Sequence, residues 1–258
     1  MKVMGILNVT PDSFSDGGKY VEVEKAVAYA KRMAAEGADI IDIGGESTRP
    51  GAEPVSVAEE LARVIPVIKR LKAEIDIPLS IDTYKAEVAR QAISAGADII
   101  NDVGGAKFDP DMAKVMAETD AQVILMHNRC LSRFGAYENL ILDVKRELKE
   151  SVDLALQSGV KAEKIILDPG IGFAKTIVQN IELMRNLSEL QTLGYPLLLG
   201  ISKKGTLREL MRNDDQSLLG SGTVATTCYA YTQRIDYVRV HDVKENKCAI
   251  RVMESLNV

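Results

Sequence analysis

Two carboxylates and an amide, Asp82, Asn101 and Asp168, each close a short apolar run, in Ser80-Ile-Asp82, Ile99-Ile-Asn101 and Ile165-Ile-Leu-Asp168. A carboxylate accepts two parallel hydrogen bonds, so this set suits a flat heterocycle with adjacent N–H donors. A second set, Arg49, Lys204, Arg239 and His241, is cationic or able to become so. It suits a phosphate, a diphosphate or a carboxylate. A ligand with a donor-rich ring at one end and an anion at the other would meet both. Polar residues end nearly every apolar run: Asn8, Gly44-Gly45-Glu46, Asp82, Asn101-Asp102, His127-Asn128, Asp168, Ser202-Lys203-Lys204 and Arg239-Val-His241. Burying such groups is costly unless something hydrogen-bonds them. One strand-end aspartate can be purely structural, whereas a whole ring of polar ends is better explained by a polar ligand.

Two loops add to this chemistry. Asn8-Val-Thr-Pro-Asp-Ser-Phe-Ser-Asp-Gly-Gly18 is polar and glycine-rich around one aromatic, Phe14. In Glu46-Ser-Thr-Arg-Pro-Gly-Ala52, the Arg49-Pro50-Gly51-Ala52 stretch fits a type II turn. Long polar loops above a polar mouth are candidate lids. His127 and Cys130 have a spacing a metal could use, but no partner pair accompanies them, so no structural metal is expected there.

The elements that must position these groups alternate. Apolar, β-branched strand candidates fall at 3–8, 40–43, 79–82, 99–101, 123–127, 165–168, 197–201 and 237–241. Each is nearly continuously apolar, as a parallel strand buried on both faces should be. Amphipathic helices are expected at 23–36, 56–75, 87–95, 112–118, 140–157, 181–193, around 219–233 and at 246–256, with Pro66 kinking or breaking the second. A faint repeat, Glu36-Gly-Ala-Asp-Ile-Ile-Asp42 and Ala95-Gly-Ala-Asp-Ile-Ile-Asn101, marks a left-handed glycine ending a helix before a strand. Strict alternation means a parallel sheet. Eight units in 258 residues favour closure into a single (β/α)8 TIM barrel domain spanning 1–258, with the site at the C-terminal ends of the strands.

Composition bounds the partners. The net charge of −5 argues against broad nucleic-acid or anionic-membrane binding. No apolar run is long enough for a membrane span and no secretory leader is visible. The three cysteines, Cys130, Cys228 and Cys248, are widely spaced and odd in number, so a reducing, cytoplasmic setting is expected.

The two loop segments, 8–18 and 44–52, resemble the signature segments of the dihydropteroate synthase family. Ser-Ile-Asp-Thr at 80–83, Ile-Asn-Asp-Val at 100–103, Met-His-Asn at 126–128, Leu-Asp-Pro-Gly-Ile-Gly-Phe at 167–173 and Val-Arg-Val-His-Asp at 238–242 follow in the family's order. The resemblance implies a transferase of folate biosynthesis that condenses 6-hydroxymethyl-7,8-dihydropterin diphosphate with para-aminobenzoate, releasing diphosphate, with Mg²⁺. It further implies that Asp82, Asn101, Asp168 and Lys204 hold the pterin, and that Asn8, Arg239 and His241 hold the diphosphate, Asn8 also lying near the metal. Lys204, Arg239 and His241 would be the catalytic groups. Phe14, Thr48, Arg49, Pro50, Ser202 and Gly205 would form the aminobenzoate pocket, which sulfonamides share. A homodimer is the family's usual assembly.

One segment departs from the pattern. The family usually carries Ser-Arg-Lys, then Ser or Arg and a bulky residue; here the chain reads Ser202-Lys-Lys-Gly-Thr206. The resemblance thereby leaves the aminobenzoate carboxylate short of one side chain. Two further classes share part of the pattern: a pterin-binding paralogue without turnover, and the methyltetrahydrofolate-type pterin methyltransferase domain. The second uses a substrate without diphosphate and is not expected to carry the two loop segments.

Overall fold

The computed structural model describes residues 1–10, 19–47 and 53–256. Eight strands alternate with helices: β1 (Lys2–Asn8), α1 (Lys19–Ala35), β2 (Ile40–Gly44), α2 (Val57–Glu74), β3 (Leu79–Asp82), α3 (Ala86–Ala95), β4 (Ile99–Asp102), α4 (Met112–Thr119), β5 (Gln122–Met126) and α5 (Leu140–Gln157). Then come β6 (Ile165–Asp168), α6 (Ile177–Arg185), α7 (Leu187–Gln191), β7 (Leu198–Leu199), α8 (Gly205–Met211), α9 (Leu219–Thr232), β8 (Tyr237–Val240) and α10 (Val243–Leu256). All pairings are parallel, in the order β6-β5-β4-β3-β2-β1-β8-β7. A parallel bridge from Leu167 to Leu197 and a bond from Leu167 N–H to Pro196 O at 2.9 Å bring the two ends together. The fold is a (β/α)8 barrel.

The residue alternation of a strand builds the site. Met4, Ile40, Ile99, Ile124, Ile166, Leu198 and Tyr237 form one apolar cluster, the floor inside the barrel. Their neighbours Ile41, Ile81, Ile100, Leu125 and Leu167 belong to a second cluster, shared with Val64, Ile68, Met116 and Leu148 of the helices. With a period of two, the residues two places beyond the floor share its inward direction. Those residues are Ile6, Asp42, Asn101, Met126, Asp168, Gly200 and Arg239. An apolar plug therefore supports a layer that is polar except at Ile6 and Met126 at the C-terminal end.

Local sequence explains the rest. Gly37 and Gly96, at φ +100° and +116°, end α1 and α3 as the repeat predicts. The aspartate of each repeat satisfies a donor at the start of an adjacent strand. Asp39 accepts from Val3 N–H at 2.7 Å, and Asp98 from Leu79 N–H at 3.0 Å. Pro66 does not break α2, which runs through it from a Ser56 cap to Glu74. The single helix expected at 181–193 is two, divided at Asn186 (φ −118°, ψ 28°), and it starts earlier, on a Thr176–Gln179 capping box. Helix α8 is an element that the sequence pattern does not announce, and the strand expected at 197–201 narrows to Leu198–Leu199.

Candidate active site

The register aligns Asn8, Gly44, Asp82 and Asn101 in one row across β1 to β4 at the mouth. Arg239, arriving from β8, ties this row together from inside. Its Nε donates to Asp42 Oδ2 at 2.5 Å and one Nη to Asp82 Oδ2 at 2.5 Å, while Asn101 Nδ2 donates to the same Asp42 oxygen at 3.1 Å. Burial works against the Arg239 charge, but Asp42 and Asp82 outweigh it and hold its pKa above the ordinary arginine value. Burial pushes the Asp82 carboxyl up to about 7, against the pull of Arg239 and with repulsion from Asp42. Asp42 is fully buried and is absent from the site residues that the sequence suggests. The signal for it is a charged residue inside the apolar strand Ile40-Ile-Asp-Ile-Gly44, on the same face as Ile40.

This layer is incomplete in its hydrogen bonding. Asp42 Oδ1, Asp82 Oδ1 and Ser80 Oγ are buried without a partner among the described residues. An unmet buried polar group of this kind costs about 1–3 kcal/mol, which a donor on a ligand would recover. There is also space for one. A methyl group built on Gly44 would stand 3.6 Å from Asp82 Cβ and 3.9 Å from Asn8 Oδ1. One built on Gly200 would stand 3.7 Å from Asp168 Oδ2 and 3.9 Å from Arg239 Cβ. Both are ordinary contact distances, so each glycine leaves a methyl-sized hollow, one beside Asn8 and Asp82 and the other beside Asp168 and Arg239. Asp168 Oδ1 already accepts from Gly170 N–H at 2.7 Å, which orients the carboxylate. Burial raises its pKa, opposed by Lys204.

Lys204 enters from the segment after β7. Its Nζ donates to Ile171 O and lies 4.5 Å from the centre of the Phe173 ring. Burial lowers its pKa to about 8, against the attraction of Asp168. Gly172, at φ +84°, permits this approach, since a side chain there would come within 2.9 Å of Lys204 Cδ. Beside it, Ser202 Oγ lies 2.9 Å from His241 Nδ1 and accepts from His241 N–H at 3.2 Å. Gly205 and Thr206 begin α8.

A second buried network holds the loop after β6. Lys175 Nζ donates to Gly170 O at 3.0 Å and Phe173 O at 3.1 Å, and meets His127 Nδ1 at 2.9 Å. His127 Nε2 lies 3.1 Å from Glu147 Oε2, which Arg129 Nε also reaches at 2.9 Å. Both ring nitrogens of His127 are therefore engaged by protein groups. Lys175 is a further residue that the sequence does not single out; nothing in Gly-Phe-Ala-Lys-Thr distinguishes a buried lysine from a surface one. At the base of the second loop, Lys85 Nζ bonds Glu46, Glu60 (2.5 Å) and Val55 O (2.6 Å), and Tyr84 OH donates to Glu46 at 3.1 Å. Phe14, Thr48, Arg49 and Pro50 lie outside the described residues.

A cleft of about 670 Å³ at the opposite end of the barrel, lined by Lys2, Arg234 and Asp236 among others, lacks this character. Its carboxylate, Asp236, already accepts from Leu197 N–H at 2.8 Å.

Comparison with known proteins agrees with the geometry. The family of pterin binding enzymes matches residues 4–241. The dihydropteroate synthase of Clostridium beijerinckii is 53% identical over 253 residues, covering 98% of this chain and 93% of its own. The structure of dihydropteroate synthase from Clostridium difficile, determined in the presence of pteroic acid, superposes with a TM-score of 0.95 at 49% identity, covering 99% and 96% of the two chains. Xanthomonas albilineans dihydropteroate synthase with 4-aminobenzoic acid gives 0.94 at 43% identity, covering 100% and 93%.

Proposed function

The chain belongs to the dihydropteroate synthase family of pterin-binding enzymes, and from that premise we propose how its barrel mouth divides the work of joining 6-hydroxymethyl-7,8-dihydropterin diphosphate to para-aminobenzoate. The arylamine lone pair forms a C–N bond to the exocyclic methylene of the pterin. The C–O bond breaks, its electron pair leaves with diphosphate, and the amine releases a proton. No protein nucleophile is needed.

In this reading Asp82, Asn101, Asp168 and Lys204 hold the pterin ring at the hollows left by Gly44 and Gly200. The unpartnered Asp42 Oδ1 and Asp82 Oδ1 are the observation that carries it, since they call for donors that a pterin edge supplies. Arg239 joins the two ends of the substrate. Two of its nitrogens brace Asp42 and Asp82, and its charge, with His241 and Ser202 at the rim, favours the departing diphosphate. Magnesium bound with the diphosphate would neutralise charge on the leaving oxygens. Asn8, with its amide oxygen facing the hollow beside Gly44, would hold it. A single protein oxygen fits an ion that keeps water and takes phosphate oxygens as its other ligands. The aminobenzoate pocket would lie between Ser202, Gly205 and the two loops that carry Phe14, Thr48, Arg49 and Pro50.

We further propose a cytoplasmic homodimer. Among the described residues no helix is long and apolar enough to cross a membrane. The exposed Leu218, Val252 and Leu256 offer apolar surface that pairing would cover.

A diphosphate-release assay tests the whole reading. Release that requires both pterin diphosphate and para-aminobenzoate, and that stops with EDTA and resumes with Mg²⁺, is the expected result. Pterin binding without release would favour a non-catalytic paralogue. Release unaffected by EDTA would remove the metal from the account.

A further inference from the structure

We infer that Arg208 is the residue that recognises the carboxylate of the aminobenzoate, in place of the side chain that Gly205 lacks. The inference rests on the reading above that position 205 borders that substrate.

Gly205 opens α8 immediately after Lys204, which turns into the barrel mouth. Its backbone lies outside the left-handed region, so the chain does not need glycine there for conformational reasons. Its missing side chain leaves a notch. The nearest heavy atom to a Cβ built at 205 is Arg208 Nη2, at 3.5 Å. Residues three apart share a helix face, and the guanidinium of Arg208 folds back along that face over the vacant position.

Among the described residues, four cations around the mouth are already engaged. Lys203 is paired with Asp242 at 2.9 Å. Lys204 is committed to Ile171 O and the Phe173 ring. Lys175 is buried on the carbonyls of Gly170 and Phe173, and Arg239 is held between Asp42 and Asp82. The exposed Arg208 side chain has no hydrogen bond or ion pair to any described residue. Para-aminobenzoate must present its amine to the pterin methylene and therefore points its carboxylate away from the ring, towards the rim. A guanidinium can meet both oxygens of that carboxylate at once. The glycine and the arginine then form one device: the first vacates the space that the second needs.

The test is steady-state kinetics on the full chain with four variants. Arg208→Ala should raise KM for para-aminobenzoate by about 10-fold, leaving kcat and KM for the pterin diphosphate within about 2-fold. Arg208→Lys should recover part of the loss. With 4-aminobenzamide, which is uncharged, Arg208→Ala should change nothing. Gly205→Leu fills the notch and reads whether position 205 borders the aminobenzoate at all, and Gly205→Ser should restore part of the affinity in the Arg208→Ala background. If Gly205→Leu raises KM for the acid while Arg208→Ala does not, the role of Arg208 is overturned and the placement of the pocket stands. If neither variant affects that KM, the placement of position 205 falls, and the inference with it.

Discussion

Asp168 shows how much one side chain decides. Its Oδ1 is fixed by Gly170 N–H, and Oδ2 faces the hollow beside Gly200. Asp168→Asn can keep the first bond through its own carbonyl oxygen while turning an N–H₂ towards the ligand. Affinity for a bare pterin should fall by about 2–4 kcal/mol, because a ligand donor then faces a donor. Isothermal calorimetry showing unchanged affinity would remove Asp168 from the pterin site. Arg239 makes the opposite point. The sequence alone places it only at the anion end, where Arg239→Lys would spare pterin binding. Its bonds to Asp42 and Asp82 change that expectation. An ammonium cannot span two carboxylates as the guanidinium does, so Arg239→Lys should weaken the pterin by about 10-fold as well as slow turnover. A variant with normal pterin affinity and slow turnover would confine Arg239 to the diphosphate. Asp42 is only half legible in the sequence: a carboxylate inside an apolar strand is visible, but its partner Arg239 stands on β8, one strand removed and far away in the chain. No local pattern announces such a pairing.

Elements hold these residues in place, and one of them does so through a buried histidine. Burial, with the Lys175 charge beside it, lowers the His127 pKa from 6.5 to about 4. In the unfolded chain the ring would titrate near its ordinary 6.5. Between those values the unfolded chain takes up a proton that the folded chain refuses, so stability is full above pH 6.5 and falls towards pH 4. The neutral ring fits its surroundings: Nδ1 accepts from Lys175 and Nε2–H donates to Glu147. The contribution of His127 to stability against urea should fall between about pH 7 and pH 5 by an amount on the order of 2 kcal/mol, against the opposite contribution of the Asp82 carboxyl. His127→Gln should be less stable than the wild type at about pH 7, and the gap between the two should narrow towards pH 5. Parallel pH curves for the two proteins would show that this histidine does not set the slope. The strands β1 to β6 and β8 are legible because each is a bounded, β-branched apolar run, and the Gly-Ala-Asp repeats announce two helix ends. Helix α8 is not, since Ser202-Lys-Lys-Gly-Thr206 reads as polar loop, and it forms on the Leu207 side chain buried beneath it. The break at Asn186 is hidden for the opposite reason: Leu183, Leu187 and Leu190 keep a helical spacing across it.

At the scale of the whole molecule the barrel is not equally strong around its circumference. The pairings from β2 to β6 and on both sides of β1 are ladders, whereas β7 has two residues and meets β6 through the single Leu167–Leu197 bridge. Asp168 sits at the end of one of these strands, and Ser202 and Lys204 follow the other. On the proposed assignment of the pterin to Asp168 and Lys204, the substrate would lie across the weakest joint of the hoop. A pterin is then a latch as well as a reactant, and its grip should be visible as slowed amide hydrogen exchange. Adding a pterin should protect the Leu167 amide, which bonds Pro196 O, at least about 10-fold more than the Ile43 amide in the β2–β3 ladder. Equal protection at both places would mean that the ring is no weaker at that joint than elsewhere. Unequal protection would mean that the empty enzyme breathes along one line, and that its substrate enters by closing it.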